Sequence, residues 1–227
     1  MNSRIRGQYR AIGVALGLAS IIGLGLPQSA FAGGPDPSLT ITVQVDNYSQ
    51  ASPGVLAAAE HEADRILGEA GLRAVWLECP VGVSRADAQG PCQKAPEATD
   101  IRLRILATPI RNVFQDSVFG FTVHPVLASV YYDYALRRAK SDDAEFEVPI
   151  ILGCVMAHEL GHLLLGSNGH SDTGIMQPRW EPKQVRQLMM GTLQFTPEQS
   201  KRMGTEVQAR TEKQRNNLSS TSAAPQH

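Results

Sequence analysis

Excess charge of either sign is lacking. Lysine and arginine number 21 against 22 acidic side chains, a formal net charge of -1 over 227 residues. A phosphate backbone or an anionic membrane finds no electrostatic footprint there, so nucleic acid is not an expected partner. Internal repeats are absent, and beyond the N-terminal region no apolar segment reaches bilayer-spanning length. Cysteine is scarce, with three residues. What is present, 42% hydrophobic and 19% charged residues, suits a globular chain and not a disordered one.

The first 32 residues stand apart. Arg4, Arg6 and Arg10 precede the apolar run AIGVALGLASIIGLGL, and Ala30-Phe31-Ala32 offers a small-residue cleavage site. That order is the pattern of a secretory signal peptide, with an uncleaved anchor as the competing reading. Export to the periplasm or the exterior is therefore expected, with no stable membrane association after cleavage. An oxidising compartment favours thiol pairing. Cys79 and Cys92 flank the turn-rich loop PVGVSRADAQGP and form the natural pair, while Cys154 lies in an apolar run as a buried thiol. Cys154 also precedes His158 by four residues, which leaves the same helix side open to it.

After a linker at 33–37, the alternation of Leu39, Ile41, Val43 and Val45 predicts a half-buried strand. Residues 53–71 have helical spacing and a glycine stop, followed by strand-like VWLEC at 75–79. IRLRILA, VFGFTVH and ASVYYDYA predict three more strands, and LRRAKSDDAEFE is either a helix extension or a loop. A second helix starts near 147, residues 182–190 are weakly helical, and Thr196-Pro197-Glu198-Gln199 opens a last helix with a capping box. The pattern is that of an α+β, or mixed α/β, fold with about five strands. The domain spans 38–211, and the polar stretch 212–227 predicts a disordered tail.

One stretch breaks the composition rule for a buried helix. VPIILGCVMAHELGHLLLG carries only three polar side chains, His158, Glu159 and His162, and apolar surroundings penalise such groups unless something compensates. His158 and His162 are one helical turn apart on one face, about 6 Å along the axis, so both imidazoles reach one small cation. Zn²⁺ suits nitrogen donors, and Glu159 beside the first of them is placed to take a proton from a water. Two core histidines would leave Glu159 without a role. The next turn offers only Leu165 and Gly166, so a third ligand comes from beyond the helix. His170, after a glycine reversal, is the leading candidate, with Asp172 and Glu181 as rivals.

The segment HELGHLLLGSNGHSDTGIMQP resembles the zinc signature of the metzincin metallopeptidases, H-E-x-x-H-x-x-G-x-x-H followed by a turn carrying a methionine. His158, Glu159, His162, Gly166, His170 and Met176 match in order, and His170-Ser171 with GIMQP is similar to the matrixin-like branch. The segment from His162 to His170 is two residues longer than that signature, and the extra helical residue turns the glycine about 100° around the axis. The resemblance implies a twisted mixed sheet, an active-site helix behind it, a methionine turn with Met176 as the floor beneath the histidines, and a C-terminal helix. It implies a zinc endopeptidase acting on polypeptides, with Glu159 as general base and then proton donor; the leader adds export, and a monomer is expected. FGFTVHPV or ASVYYDY would be the edge along which substrate lies. Two other functions fit a zinc signature: an exported zinc-binding interaction protein without activity, or a hydrolase of non-peptide carbonyls. His61 and His124 read as surface histidines, and Tyr131, Tyr132 and Tyr134 as packing residues with an oxyanion role open to them.

Overall fold

The expected alternation at the start of the domain produces β1, Thr40–Asn47, with Ile41, Val43 and Val45 buried. The computed structural model describes residues 39–82, 90–94, 96–109, 119–123, 125–141, 147–166 and 169–222. The expected leader and linker (1–37), His124 and the last five residues lie outside the described residues.

β1 pairs in parallel with β2, Arg73–Cys79, on one side and with β3, Asp100–Leu106, on the other. β3 pairs in parallel with β5, Leu127–Tyr131, and β5 pairs antiparallel with β4, Gly120–Val123. The sheet order is thus β2-β1-β3-β5-β4, with the single antiparallel strand at one edge. Register carries the apolar parity across the sheet: Val43 lies opposite Trp76 and Ile101, Leu103 opposite Ala128, and Val130 opposite Gly120. On β1 and β3 the other parity is largely polar, and there the Arg102 guanidinium donates to both carboxylate oxygens of buried Asp46, at 2.5 and 2.8 Å.

Helix α1, Pro53–Glu69, begins where the Ser52 hydroxyl accepts from the Val55 N–H. It buries Leu56, Ala59, Ala63, Ile66 and Leu67, the stripe that its sequence spacing predicts. Helix α3, Val148–Leu165, is buried nearly all round. By length and composition it would cross a membrane, contrary to the sequence expectation that nothing past the leader would. It is nevertheless a core helix, with 83% of its apolar window buried inside the fold. Five α-helices and a five-stranded mixed sheet among the described residues make this the expected mixed α/β fold.

Two further expectations need correction. ASVYYDYA is not all strand: β5 ends at Tyr131 and helix α2 runs Tyr132–Ser141. Asp133 sits in its first turn, pairs with Arg137 one turn on, and donates its backbone N–H to the Ala107 carbonyl. LRRAKS therefore belongs to a helix, and residues 142–146 lie outside the described residues. The polar stretch from 212 is also not disordered as far as it is described. After the short helix α4, Pro182–Met189, helix α5 runs Pro197–Ser222. No proline or glycine interrupts it after Gly204, and Gln214 meets Thr99 and Glu97 ahead of β3.

Cys79 and Cys92 form the expected disulfide, and Cys154 is a buried free thiol. With a sequence separation of 13, the crosslink contributes on the order of 3 kcal/mol by restricting the unfolded chain.

Candidate metal centre

The apolar helix α3 keeps its polar residues where other elements meet it. His158 and Glu159 are buried and His162 is half-buried. At the helix end Gly166 takes φ 79° and donates its N–H to the His162 carbonyl. A residue with a Cβ would be strained in that conformation, so glycine lets the chain reverse there. His170 comes back from the reversal as an exposed side chain. The ligand-capable atoms of His158, His162 and His170 all lie within 4.8 Å of one another. Of the three candidates for the third position, the structure gathers His170 into the cluster. Asp172 is exposed outside it, and Glu181 is the exposed residue that precedes α4. Cys154 is also elsewhere, its Sγ 3.9 Å from Glu62 Oε1 on α1.

The Nε2 atoms of His158 and His162 are 3.1 Å apart. Two nitrogens bound to one tetrahedral Zn²⁺ are about 3.3 Å apart, given bond lengths near 2.0 to 2.1 Å. The donor set and spacing therefore fit that ion, with three imidazoles converging and no fourth protein ligand among the described residues. Protonation agrees. Burial, then the neighbouring His162, hold His158 down at about 3, and burial with His170 holds His162 at about 4. Both are neutral at physiological pH and offer lone pairs.

His158 is oriented from behind. Its Nδ1–H donates to the Ile175 carbonyl at 2.8 Å, which turns Nε2 toward the other histidines. The Trp180 indole N–H donates to that same carbonyl at 3.1 Å. Phe119 stacks edge-on to His158 with centroids 4.9 Å apart and lies 4.3 Å from the Trp180 ring. Met176 is fully buried, and its Sδ would lie 2.7 Å from a Cβ placed on Gly161, so it packs closely against α3 between the two histidine turns. The Ser171 N–H donates to the Met176 carbonyl, tying the His170 segment to this turn.

Glu159 faces the edge of the sheet. A Cβ on Gly120 of β4 would lie 3.1 Å from the Glu159 carboxyl carbon and 2.0 Å from the Ser129 carbonyl oxygen. Glycine is thus the residue that lets the edge strand and the carboxyl approach each other. Burial alone pushes the Glu159 carboxyl up to about 8. Tyr131 is buried and pairs with Phe121, while Tyr134 stacks edge-on to Phe119 and is pushed up to about 12 by burial. Trp180 had no signal in the one-dimensional pattern, and the sequence marked Phe119 and Gly120 only as part of a candidate substrate edge, because their contacts with α3 join segments distant in the chain.

These shifts contribute to the pH dependence of the metal-free protein, beside Glu60, which burial pushes up to about 7. As pH falls below the ordinary histidine value of 6.5, the unfolded chain takes up protons that the buried imidazoles refuse, and stability falls. Between 4.5 and about 8 the folded protein holds a proton on Glu159 that the unfolded chain releases, so that group costs stability as pH rises. The melting temperature of metal-free protein is expected to peak near pH 6.5, and Glu159→Gln should flatten its alkaline side. Melting curves across pH check this; identical alkaline slopes in both proteins would contradict it.

No family model matches the chain, and no curated protein matches it. Among solved structures it is similar to a zinc-dependent peptidase from Methanocorpusculum labreanum, with a TM-score of 0.51 and 14% identity over 71% of this chain and 99% of that one. It is also similar to archaemetzincin from Methanopyrus kandleri, with a TM-score of 0.48 and 14% identity over 76% of this chain and 98% of that one. At such identity the likeness is one of fold.

Proposed function

We propose that this chain is an exported zinc-dependent endopeptidase. The observation that carries the reading is the convergence of His158, His162 and His170 with Glu159 held between the same helix and the sheet edge. The fold likeness to a zinc-dependent peptidase supports it. Export rests on the basic and apolar leader with its Ala30-Phe31-Ala32 site, and the Cys79–Cys92 disulfide suits an oxidising compartment.

His158, His162 and His170 would hold Zn²⁺, which when bound polarises a carbonyl, acidifies water and favours the charged form of Glu159. The chain's own residues do the rest. A peptide lies along β4, the edge strand that approaches Glu159, and pairs its main chain there. The edge place of β4 supports FGFTVHPV as the wall over ASVYYDY, whose β5 part is interior and whose residues from Tyr132 on are helical. The Glu159 carboxylate takes a proton from the attacking water and delivers it to the leaving amine. Phe119 and Trp180 keep the ring of His158 dry and fixed, and Met176 packs against the helix between the two histidine turns. No acyl-enzyme is needed, because water itself is the nucleophile.

Metal removal tests the reading. A chelator should abolish hydrolysis of an unfolded protein substrate, and stoichiometric zinc should restore it. Full activity in chelator, with zinc absent by elemental analysis, would refute a zinc peptidase. Stoichiometric zinc with no hydrolysis of peptides or of simple esters would favour a zinc-holding interaction protein.

A further inference from the structure

We infer that Gln199 is a positioning residue for His170: its side-chain amide clamps the loop that carries the third histidine. This deepens the zinc reading above and rests on it. The need is physical. His170 is exposed, on a segment longer than the usual spacing, and lacks the packing that holds His158.

Gln199 lies in the first turn of α5 and is only 5% exposed. The sequence marks it as the partner of Thr196 in a capping box, and the structure shows both of its bonds. The Gln199 N–H donates to the Thr196 hydroxyl at 3.3 Å, and the Thr196 N–H donates to Gln199 Oε1 at 2.9 Å. A backbone N–H can only donate, so it fixes which way the amide faces. Oε1 points to the cap, and the amide nitrogen must point away from it.

That nitrogen points at the His170 loop. It donates to the Ser171 hydroxyl at 2.9 Å and, more weakly, to the Gly169 carbonyl at 3.4 Å. These are the residues on either side of His170. The Ser171 hydroxyl passes its own hydrogen to the Thr173 carbonyl at 2.7 Å, so its lone pairs are free to accept. The chain of donors runs one way, from Thr196 through Gln199 and Ser171 to Thr173. The frame behind it is rigid as well. Arg202 donates to the Leu165 carbonyl and Arg210 to the Leu163 carbonyl, each at 2.8 Å, locking α5 to the end of α3. Gln199 therefore holds His170 in the same frame as His158 and His162.

The choice of amide is informative. A capping box accepts glutamate as readily as glutamine, but a carboxylate has no hydrogen for Ser171 and would set an oxygen against the Gly169 carbonyl. Gln199→Glu thus keeps the cap and removes both donations to the loop; Ser171 could hold the carboxylate only by turning its hydroxyl hydrogen away from the Thr173 carbonyl.

The test measures zinc affinity of the full chain by competition with a chromophoric chelator, beside melting of the metal-free protein. The variants are Gln199→Glu, Ser171→Ala, their double, and His170→Ala. Gln199→Glu should weaken zinc binding about 10- to 100-fold, as loss of an outer partner of a ligand typically does. Its Co²⁺-loaded form should show an altered visible spectrum. A buried carboxylate can lower melting by itself, so the deciding quantity is the coupling with Ser171→Ala. If the clamp exists, the two losses in zinc affinity are not additive. Wild-type affinity in Gln199→Glu, or strictly additive losses, would overturn the proposal while His170→Ala still binds weakly. Wild-type affinity in His170→Ala would instead bring down the three-histidine site, and the clamp with it.

Discussion

Glu159→Gln is expected to lower kcat by about 10²- to 10⁴-fold, the usual worth of a positioned general base, while zinc binds stoichiometrically as in wild type. The argument is geometric first. The carboxyl sits beside the histidine turn and against the edge strand at Gly120, within a site where burial raises its proton affinity to about 8. The amide keeps the shape and removes the base. Because burial penalises a carboxylate there, the variant should fold at least as well as wild type at alkaline pH. A fall in kcat with unchanged KM and metal content separates a chemical role from a binding role. An active Glu159→Gln would show that another group takes the proton.

His158→Ala is expected to lose more zinc affinity than the about 10- to 100-fold that an outer partner costs, and all detectable hydrolysis with it. His158 is the innermost of the three histidines, 1% exposed, with its Nδ1–H on the Ile175 carbonyl and its ring between Phe119 and the other imidazoles. Its removal takes away a ligand and leaves the Ile175 carbonyl to Trp180 alone. Competition titration and elemental analysis read the loss, and circular dichroism checks that the helix persists. Stoichiometric tight zinc in this variant would place the ion elsewhere.

Much of this was legible in one dimension because the physics is local. Period-two alternation marked β1 and β3, helical spacing and a glycine stop marked α1, and three polar residues in an apolar run marked the site on α3. His158, Glu159 and His162 follow from one helical turn. Even the capping box at Thr196 and Gln199 was visible. What failed was also physical. Tyr132, Asp133 and Tyr134 continue an apolar-polar alternation, yet the chain turns into α2 once Tyr131 ends the sheet pairing. The polar tail lacks a hydrophobic stripe, but contacts from Gln214 and an uninterrupted helix-forming sequence carry α5 on to Ser222. The second reach of Gln199, the shared carbonyl of Ile175 and the close approach at Gly120 join residues distant in sequence, and no spacing rule encodes them.

The most direct test of the account is mass-spectrometric mapping of cleavages in an unfolded protein mixture by the zinc-loaded protein, with Glu159→Gln in parallel. The account predicts internal cleavages by wild type, sharing side-chain preferences around the cut, and almost none by the variant. Equal cleavage by both proteins, or none by wild type with zinc fully bound, would contradict it.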